Sequence, residues 1–464
     1  MLGRILVSFL AVAAGLIVAP AQVPVVGGGT LKSLKDSGNL VTVVLTTENA
    51  RDANLKITGI FDLHITFGRP DGTPTSYTIA SIKEIRVQDE KVEISTQRRM
   101  PGGALSAQDE DVAASAVQRA YGLFEQSQGD QAVRIQAAGV LAASGNQDAL
   151  NSYLVPLSQG NNALLALEAA LYMYLAGATV PPEVIERGLL SGERAAKANA
   201  ATIAGLTNAQ QFMAPVRDML KDTTPEIYPA AAVAAGRLKI FEGLEYLMRG
   251  FRALTPEKAE ATVRALVILG GPEVESAIEP YLEDKVRQEW FRAARALYRM
   301  GNEKGKRLMQ DALKSPAFRD DAALILAKDG DWEAQQELRK ILDRPFDPSV
   351  ENLVDRAKIY GVLLENGDPA GKTELLDLMQ IGPDAIIYRG EGKGDKEKAE
   401  GVVTVQVAVC HVAAALGNRG LMAVMQIGIP AAAPKVALAA CEAATAISNP
   451  EYGERLRNIR PVYP

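Results

Sequence analysis

Between Gln131 and Leu456, apolar residues recur with the period of an α-helix, and one two-part pattern returns roughly every 30 residues. An alanine-rich segment ends at Gly, Asn or Asp, and an amphipathic segment follows it. The turn positions are Gly145-Asn146, Gly177, Thr207-Asn208, Gly236, Gly270-Gly271, Gly301-Asn302, Asp329-Gly330, Gly367-Asp368, Gly417-Asn418 and Ser448-Asn449. Gly and Asn tolerate the left-handed conformation beyond a helix end. The pattern predicts a row of helical hairpins over residues 131–381 and 405–464.

The apolar period changes to about two between residues 30 and 100, which is typical of half-buried strands. Val41, Val43 and Leu45 alternate with more polar residues, and the segment 61–67 alternates in the same way. Several short strands separated by turns predict a small all-β domain, a sandwich or a barrel, over 30–100.

A short break then separates the two patterns. Pro101, Gly102 and Gly103 interrupt the alternation and mark a domain boundary. A helix is predicted over 104–128, with Ser106 and Asp109 as its cap. We expect this helix to cover the exposed apolar end of the hairpin row.

The hairpin pattern resembles the HEAT-repeat family in its short bacterial variety. The matching segments are Val133-Arg134-Ile135-Gln136-Ala137-Ala138 leading into Leu141-Ala142-Ala143-Ser144-Gly145, and Arg264-Ala265-Leu266 leading into Leu269-Gly270-Gly271. The resemblance implies a mostly α chain, a right-handed α-solenoid whose second helices line a concave face. Tetratricopeptide repeats are the alternative, but their Trp-Leu-Gly-Tyr order is absent. The strand order of the β segment resembles an SH3-like or Sm-like small barrel.

The N-terminal residues carry the features of an export signal. Arg4 precedes an uncharged apolar run, and Ala19-Pro20-Ala21 offers small residues at a cleavage site. The run is short for a membrane span, which needs about 20 residues. The sequence predicts a cleaved signal peptide over 1–21, a leader over 22–29, and a periplasmic or secreted protein. An uncleaved anchor stays open as the alternative.

Composition narrows the class of protein and of partner. The 464-residue chain is 47% apolar and 23% charged, which is ordinary for a folded soluble protein. Aromatic residues make up only 5%, so small aliphatic side chains must fill the interior. The net charge of −6 and the lack of a polybasic segment disfavour nucleic acid and anionic membrane surfaces as partners.

The residues that could carry chemistry are few. His64 and His411 are the two histidines, and neither has other metal ligands at a suitable spacing. Cys410 and Cys441 lie one repeat apart, which leaves open either a bridge or, as we favour, two buried thiols. We therefore predict no catalytic residues, no metal and no cofactor.

The spacing between Gly367 and Gly417 exceeds that of the other turns by about 20 residues. The extra residues are rich in glycine and charge, and predict a loop over 382–404. This loop is either a tolerated surface insertion or a contact that orders on a partner.

Aromatic and arginine residues on the predicted second helices favour a binding function, because such residues dominate interface energetics. The predicted partner-binding residues are Tyr246, Arg249, Arg252, Tyr281, Lys304, Arg307, Gln335 and Arg339. The expected function is a non-enzymatic exported scaffold that binds proteins or peptides along the concave face. The alternatives are a cell-envelope enzyme or accessory subunit acting on cell-wall or polysaccharide material, and a subunit of a membrane-associated complex.

Overall fold

The computed structural model describes residues 106–222, 224–283, 288–386, 395–460 and 462, together with strand segments nearer the N-terminus. The predicted signal segment 1–21 lies outside the described residues. The chain divides into two compact units. Unit 1 comprises residues 1–99 with 299–303, and unit 2 comprises residues 100–298 with 304–464.

Unit 1 contains a β-sheet. Its described strands are β1 (Val25–Val26), β2 (Leu40–Leu45), β3 (Arg51–Ile60), β4 (His64–Gly68), β5 (Pro74–Thr78), β6 (Ile82–Val87) and β7 (Glu90–Lys91). The strand order is β1-β6-β2-β3-β4-β5, and β7 pairs with β6. The β1–β6 pair is parallel, and the other pairs are antiparallel. Ile57 and Ile65 are buried on the neighbouring strands β3 and β4, so part of the sheet surface is covered.

The described residues of unit 2 are mostly helical, as the sequence predicted. The α-helices are α1 (Ala107–Gln126), α2 (Gln131–Ala143), α3 (Val155–Ser158), α4 (Ala163–Leu175), α5 (Pro182–Leu190), α6 (Arg194–Leu206), α7 (Met213–Met219), α8 (Ile227–Arg237), α9 (Leu244–Phe251), α10 (Pro256–Leu269), α11 (Pro272–Ile278), α12 (Gln288–Arg299), α13 (Glu303–Lys314), α14 (Arg319–Lys328), α15 (Trp332–Leu342), α16 (Val350–Glu365), α17 (Ala370–Met379), α18 (Asp395–Leu416), α19 (Met422–Gly428), α20 (Pro434–Ser448) and α21 (Pro450–Ile459). A π-helix (Ala149–Leu154) leads into α3, and short 3₁₀ segments flank several second helices.

Side-chain caps fix where many of these helices begin. Ser106 and Asp109 form the predicted capping box, in which each side chain accepts a hydrogen bond from the backbone of the other residue. The N-cap residues of other helices that accept in the same way are Asp130, Asn162, Asp331, Ser349 and Asn449. Each such cap contributes about 1 kcal/mol to stability.

Left-handed residues follow the first helix of most pairs, at Gly145, Gly177, Asn208, Gly270, Gly271, Gly301, Gly330, Gly367 and Gly417. The turn predicted at Gly236 is wrong. Gly236 lies inside α8, and Lys239 takes the positive φ of 59° instead. A Cβ on Gly236 would lie 2.6 Å from the carbonyl oxygen of Ala265, so this glycine lets α10 approach α8. In sequence, a glycine of close approach looks the same as one that ends a helix.

Successive even-numbered helices pack against each other from α2 to α10 and from α14 to α20. Helix α12 lies between these two runs, where its Phe291 ring stacks 5.0 Å from that of Phe318, the N-cap residue of α14. We call the even-numbered helices from α2 to α20 the inner layer.

Gly205 gives α6 the same close approach to α8, because a Cβ there would lie 2.8 Å from the Cα of Ala234. Polar contacts connect the middle of the layer: Arg295 of α12 donates to both carboxylate oxygens of Glu260 on α10, at 2.6 and 2.7 Å. The odd-numbered helices from α3 to α19 are the second helices of the pairs.

The last helical pair packs against the first helices of unit 2. Helix α20 contacts α1 and α2 as well as α18, and α21 contacts α4 and α18. Arg119 of α1 donates to the carbonyl of Ala431 at 3.1 Å, and Asn449 donates to the carbonyl of Ala143 at 3.1 Å. The inner layer is therefore a closed circuit. We call the contacts of α20 and α21 with α1, α2 and α4 the closure joint.

Helix α1 contributes to this closure rather than to a free end. Leu123 of α1 packs in one buried cluster with Ala137 of α2 and with Ala437 and Leu438 of α20. The predicted helix over 104–128 is present, but it seals the meeting point of the first and last pairs.

Helix α18 begins at Asp395, so the last part of the loop predicted over 382–404 is helical. The charged residues from Lys396 to Glu400 are strong helix formers, which explains the earlier start. Among the described residues, the segment Lys396–Leu416 of this helix has the length and the apolar composition of a membrane-spanning helix. It packs between α16 and α20, and Val405, Val409 and Val412 are fully buried there.

Candidate functional site

The predicted partner-binding residues occupy the second helices and the turns beside them. We call Tyr246, Arg249, Arg252, Tyr281, Lys304, Arg307, Gln335 and Arg339 the second-helix stripe. The structure brings several of them together through contacts between neighbouring pairs. Within the stripe, Arg249 contacts Tyr246 and Arg252 contacts Tyr281. Lys304 and Arg339 instead contact two acidic residues outside the stripe, Glu279 and Asp368.

Tyr246 of α9 contacts two cationic side chains. The guanidinium of Arg249 lies 5.3 Å from the centre of the Tyr246 ring, and Lys221 Nζ lies 6.0 Å from it. Arg249 is also ion-paired with Glu245, one helical turn earlier, and both side chains are exposed. Cation–π contacts at exposed sites contribute about 0.5–1 kcal/mol. These contacts hold the aromatic ring in place while leaving the arginine accessible.

Arg252 and Tyr281 connect α9 to the segment that follows α11. The Arg252 guanidinium lies 5.9 Å from the centre of the Tyr281 ring. Tyr281 also packs 5.0 Å from the ring of Phe251, which is fully buried. Tyr281 therefore contacts both a core aromatic ring and an exposed cation.

Lys304 and Arg307 place the next charges of the stripe on α13. Lys304 Nζ lies 3.0 Å from a carboxylate oxygen of Glu279, in the segment that holds Tyr281. Both partners are more than half exposed, so this pair adds little to stability, on the order of 0–1 kcal/mol. Arg307 is exposed on the same helix.

Gln335 and Arg339 lie one helical turn apart on α15, and both are partly buried. Arg339 Nη2 donates to Asp368 Oδ2 at 2.9 Å, which joins α15 to the start of α17. Trp332 begins the same helix with 68% of its surface exposed. Sequence reasoning missed the acidic partners of the stripe, Glu279 and Asp368, because spacing along the chain does not show which second helices are neighbours.

A second polar group lies inside the closure joint. The Tyr172 hydroxyl of α4 donates to Glu442 Oε1 of α20 at 3.1 Å, and Arg460 is ion-paired with the other oxygen of Glu442. Arg460 also donates to the Tyr172 hydroxyl at 3.2 Å. Glu442 is 1% exposed, and burial together with its charge raises the pKa of Tyr172. Glu442 is the one carboxylate in the alanine-rich α20, and this was the sequence signal for the group.

Two more polar side chains, the buried Tyr452 and the partly buried His411, lie near this group. The Tyr452 hydroxyl is buried and has no hydrogen-bond partner among the residues that the structure describes. Burial, and then the charge of Arg460, lowers the pKa of His411 below its usual 6.5. The buried Tyr452 hydroxyl and the lowered pKa of His411 both indicate that the Glu442–Arg460 pair lies in an environment of low dielectric constant.

Cys410 and Cys441 are both buried and free. Burial is the main cause that raises the pKa of Cys441 to about 12 and that of Cys410 further, so neither thiol ionises near neutral pH. His64 lies in β4, opposite Thr78 of β5. In the part of the chain that the structure describes, no three His, Cys, Asp or Glu side chains are placed to hold a metal ion.

Comparison with known proteins does not assign the chain to a family. No family model matches it, and no curated protein matches it. One solved structure, an engineered protein from the Northeast Structural Genomics Consortium, is 17% identical with a TM-score of 0.26. That alignment covers 74% of this chain and 99% of the engineered protein. A score this low carries no argument about fold or function.

Proposed function

We propose that this protein is a non-enzymatic scaffold that binds a protein or peptide partner along its second-helix stripe. The observation that carries the proposal is the contact series from Tyr246 through Tyr281 to Lys304. In it, aromatic rings are held by core packing and by cations that stay accessible. Pre-positioned aromatic and arginine side chains lower the entropy cost of binding and are common among interface hot spots.

The finer architecture is part of the same proposal. The helical pairs of unit 2 act as HEAT-like repeats of a right-handed α-solenoid, and the strands of unit 1 act as a small SH3-like or Sm-like barrel. The sheet pairing of β2 to β6 and the in-order packing of the inner layer support these assignments. We further propose export to the periplasm or the medium, which the apolar N-terminal run supports.

The direct test is site-specific crosslinking in the cell envelope. A photoreactive residue replaces Arg252 in one variant and Lys435 in a matched control, since both are exposed positions at or near a helix end. We expect a discrete crosslinked band from position 252 and none from position 435. Equal crosslinking from both positions would contradict the proposal.

A variant without three arginine charges of the stripe distinguishes specific partner binding from nonspecific association. Arg249→Gln, Arg252→Gln and Arg307→Gln, combined in one chain, remove three exposed cations without touching the core. We expect partner affinity to fall at least ten-fold, because each hot-spot arginine contributes about 1–2 kcal/mol or more. Unchanged affinity with the identified partner would exclude this face.

A further inference from the structure

Two arginines of the inner layer converge on one carbonyl oxygen. Arg237, the last residue of α8, and Arg264 of α10 each donate Nη2 to the main-chain oxygen of Asn458, at 2.6 Å in both cases. Asn458 lies in the last turn of α21. Since both bonds end on a single atom, the two guanidinium groups lie side by side.

The positive charge at this point is not balanced by the described residues. Neither Arg237 nor Arg264 is ion-paired with a described carboxylate, in contrast to Arg455 and Arg460 on the neighbouring α21. The end of a helix supplies roughly half an elementary negative charge, against two full charges on the guanidinium groups. Each guanidinium has five N–H donors, and the carbonyl of Asn458 occupies one donor group of each.

The surroundings make this imbalance costly without closing the position to solvent. Both side chains keep part of their solvent exposure. Burial nevertheless lowers the pKa of Arg264, and burial together with the charge of Arg264 lowers the pKa of Arg237 to about 10. Desolvation of the two guanidinium groups makes an ionic contact with them stronger than one with a fully hydrated side chain.

We propose that Arg237 and Arg264 form a binding site for one oxyanion of the phosphate class. The planar fork of each guanidinium matches two oxygens of such a group, so free donors on both side chains can bind one anion together. A phosphate carries about −1.5 to −2 charges at pH 7, which matches the paired arginines better than a single carboxylate does. This site lies on the inner layer and does not depend on the second-helix stripe.

Calorimetric titration of the full chain with inorganic phosphate tests the site. The ionic strength is held at about 0.15 M throughout, so that the screening of charges stays constant. We expect saturable binding to the unaltered protein and at least ten-fold weaker binding to Arg237→Gln and to Arg264→Gln, because each loses charged hydrogen bonds. Arg344→Gln, which removes an exposed arginine that lies outside the stripe and has its own carboxylate partner, should bind phosphate like the unaltered protein.

Three results would overturn the site. The first is no saturable phosphate binding to the unaltered, folded protein, a measurement that does not depend on any variant folding. The second is equal binding by Arg344→Gln and Arg264→Gln when circular dichroism shows both folded. The third is acetate binding as tightly as phosphate. A parallel titration with glycerol phosphate identifies the source, since tighter binding than inorganic phosphate indicates an ester and weaker binding a free ion.

Discussion

The joints that connect α6, α8 and α10 and the closure joint are built from different chemistry. Between α6, α8 and α10, glycine and alanine let the backbones touch, with Gly205 against Ala234 and Gly236 against Ala265. At the closure joint, the buried carboxylate of Glu442 accepts from Tyr172 and Arg460. Small apolar surfaces fix only a distance, whereas a buried ion pair accepts one partner and rejects others. We infer that the joints of α6, α8 and α10 set spacing, and that the buried pair at the closure joint specifies which helices meet.

The largest expected effect comes from Glu442→Ala. The substitution leaves Arg460 without its buried carboxylate and Tyr172 without its acceptor, so the free energy of unfolding should fall by about 3–5 kcal/mol. Urea denaturation followed by circular dichroism measures this change. The double variant Glu442→Leu with Arg460→Leu is the control, and it should recover most of the loss because no unpaired charge remains. If Glu442→Ala were at least as stable as the double variant, the Glu442–Arg460 pair would not stabilise the joint.

Gly236→Ala probes a joint between chain neighbours. The added Cβ would meet the Ala265 backbone, which cannot rotate away, so we expect a loss of about 1–3 kcal/mol in the free energy of unfolding. Gly122→Ala in α1 is the matched control, because a Cβ there meets nothing within 4 Å. Its better helix propensity should add about 0.5–1 kcal/mol. Equal effects at the two positions would mean that α8 and α10 are not in close contact.

His411→Gln tests whether the partly buried His411 near the closure joint makes the free energy of unfolding depend on pH. The pKa of His411 is lowered in the folded protein, first by burial and then by Arg460. The unfolded chain therefore binds the proton more readily, and stability falls as the pH drops below the unfolded value of about 6.5. We expect the free energy of unfolding to fall less between pH 7 and pH 5 in the variant than in the unaltered protein. Parallel curves would place His411 in contact with solvent.

The smallest effect on folding should come from Arg249→Gln on the stripe. Arg249 and its partner Glu245 are both exposed, so the change in unfolding free energy should stay within about 0.5 kcal/mol. Thermal denaturation checks this expectation. A large loss would show that the stripe serves folding rather than binding.

Local features of the fold were predictable from the sequence because local chemistry specifies them. The capping box at Ser106 and the left-handed turns at Gly145 and Asn208 follow from the preferences of single residues. Gly236 was misassigned because its role depends on a neighbouring helix. The start of α18 at Asp395 was also missed, since glycine-rich and charged residues outweighed the helix propensity of the segment that follows.

The contact between the first and last helical pairs could not be predicted from the repeat pattern. Tyr172 and Glu442 are far apart in the sequence, and a repeating pattern states how each pair meets the next without fixing the total curvature. The paired arginines at Asn458 depend on the same closure, because α21 reaches α8 and α10 only when the circuit is complete. The residue types of the stripe were predictable, but its inter-helix partners were not.

A circuit without free ends changes how the molecule should come apart. In an open array, stability is a sum of the stabilities of single repeats and of the interfaces between neighbouring repeats, and the terminal repeats unfold first. Here the last helical pair, α20 with α21, packs against α1, α2 and α4. Amide protons of α20 should then exchange as slowly as those of α10, and unfolding should proceed as one cooperative event.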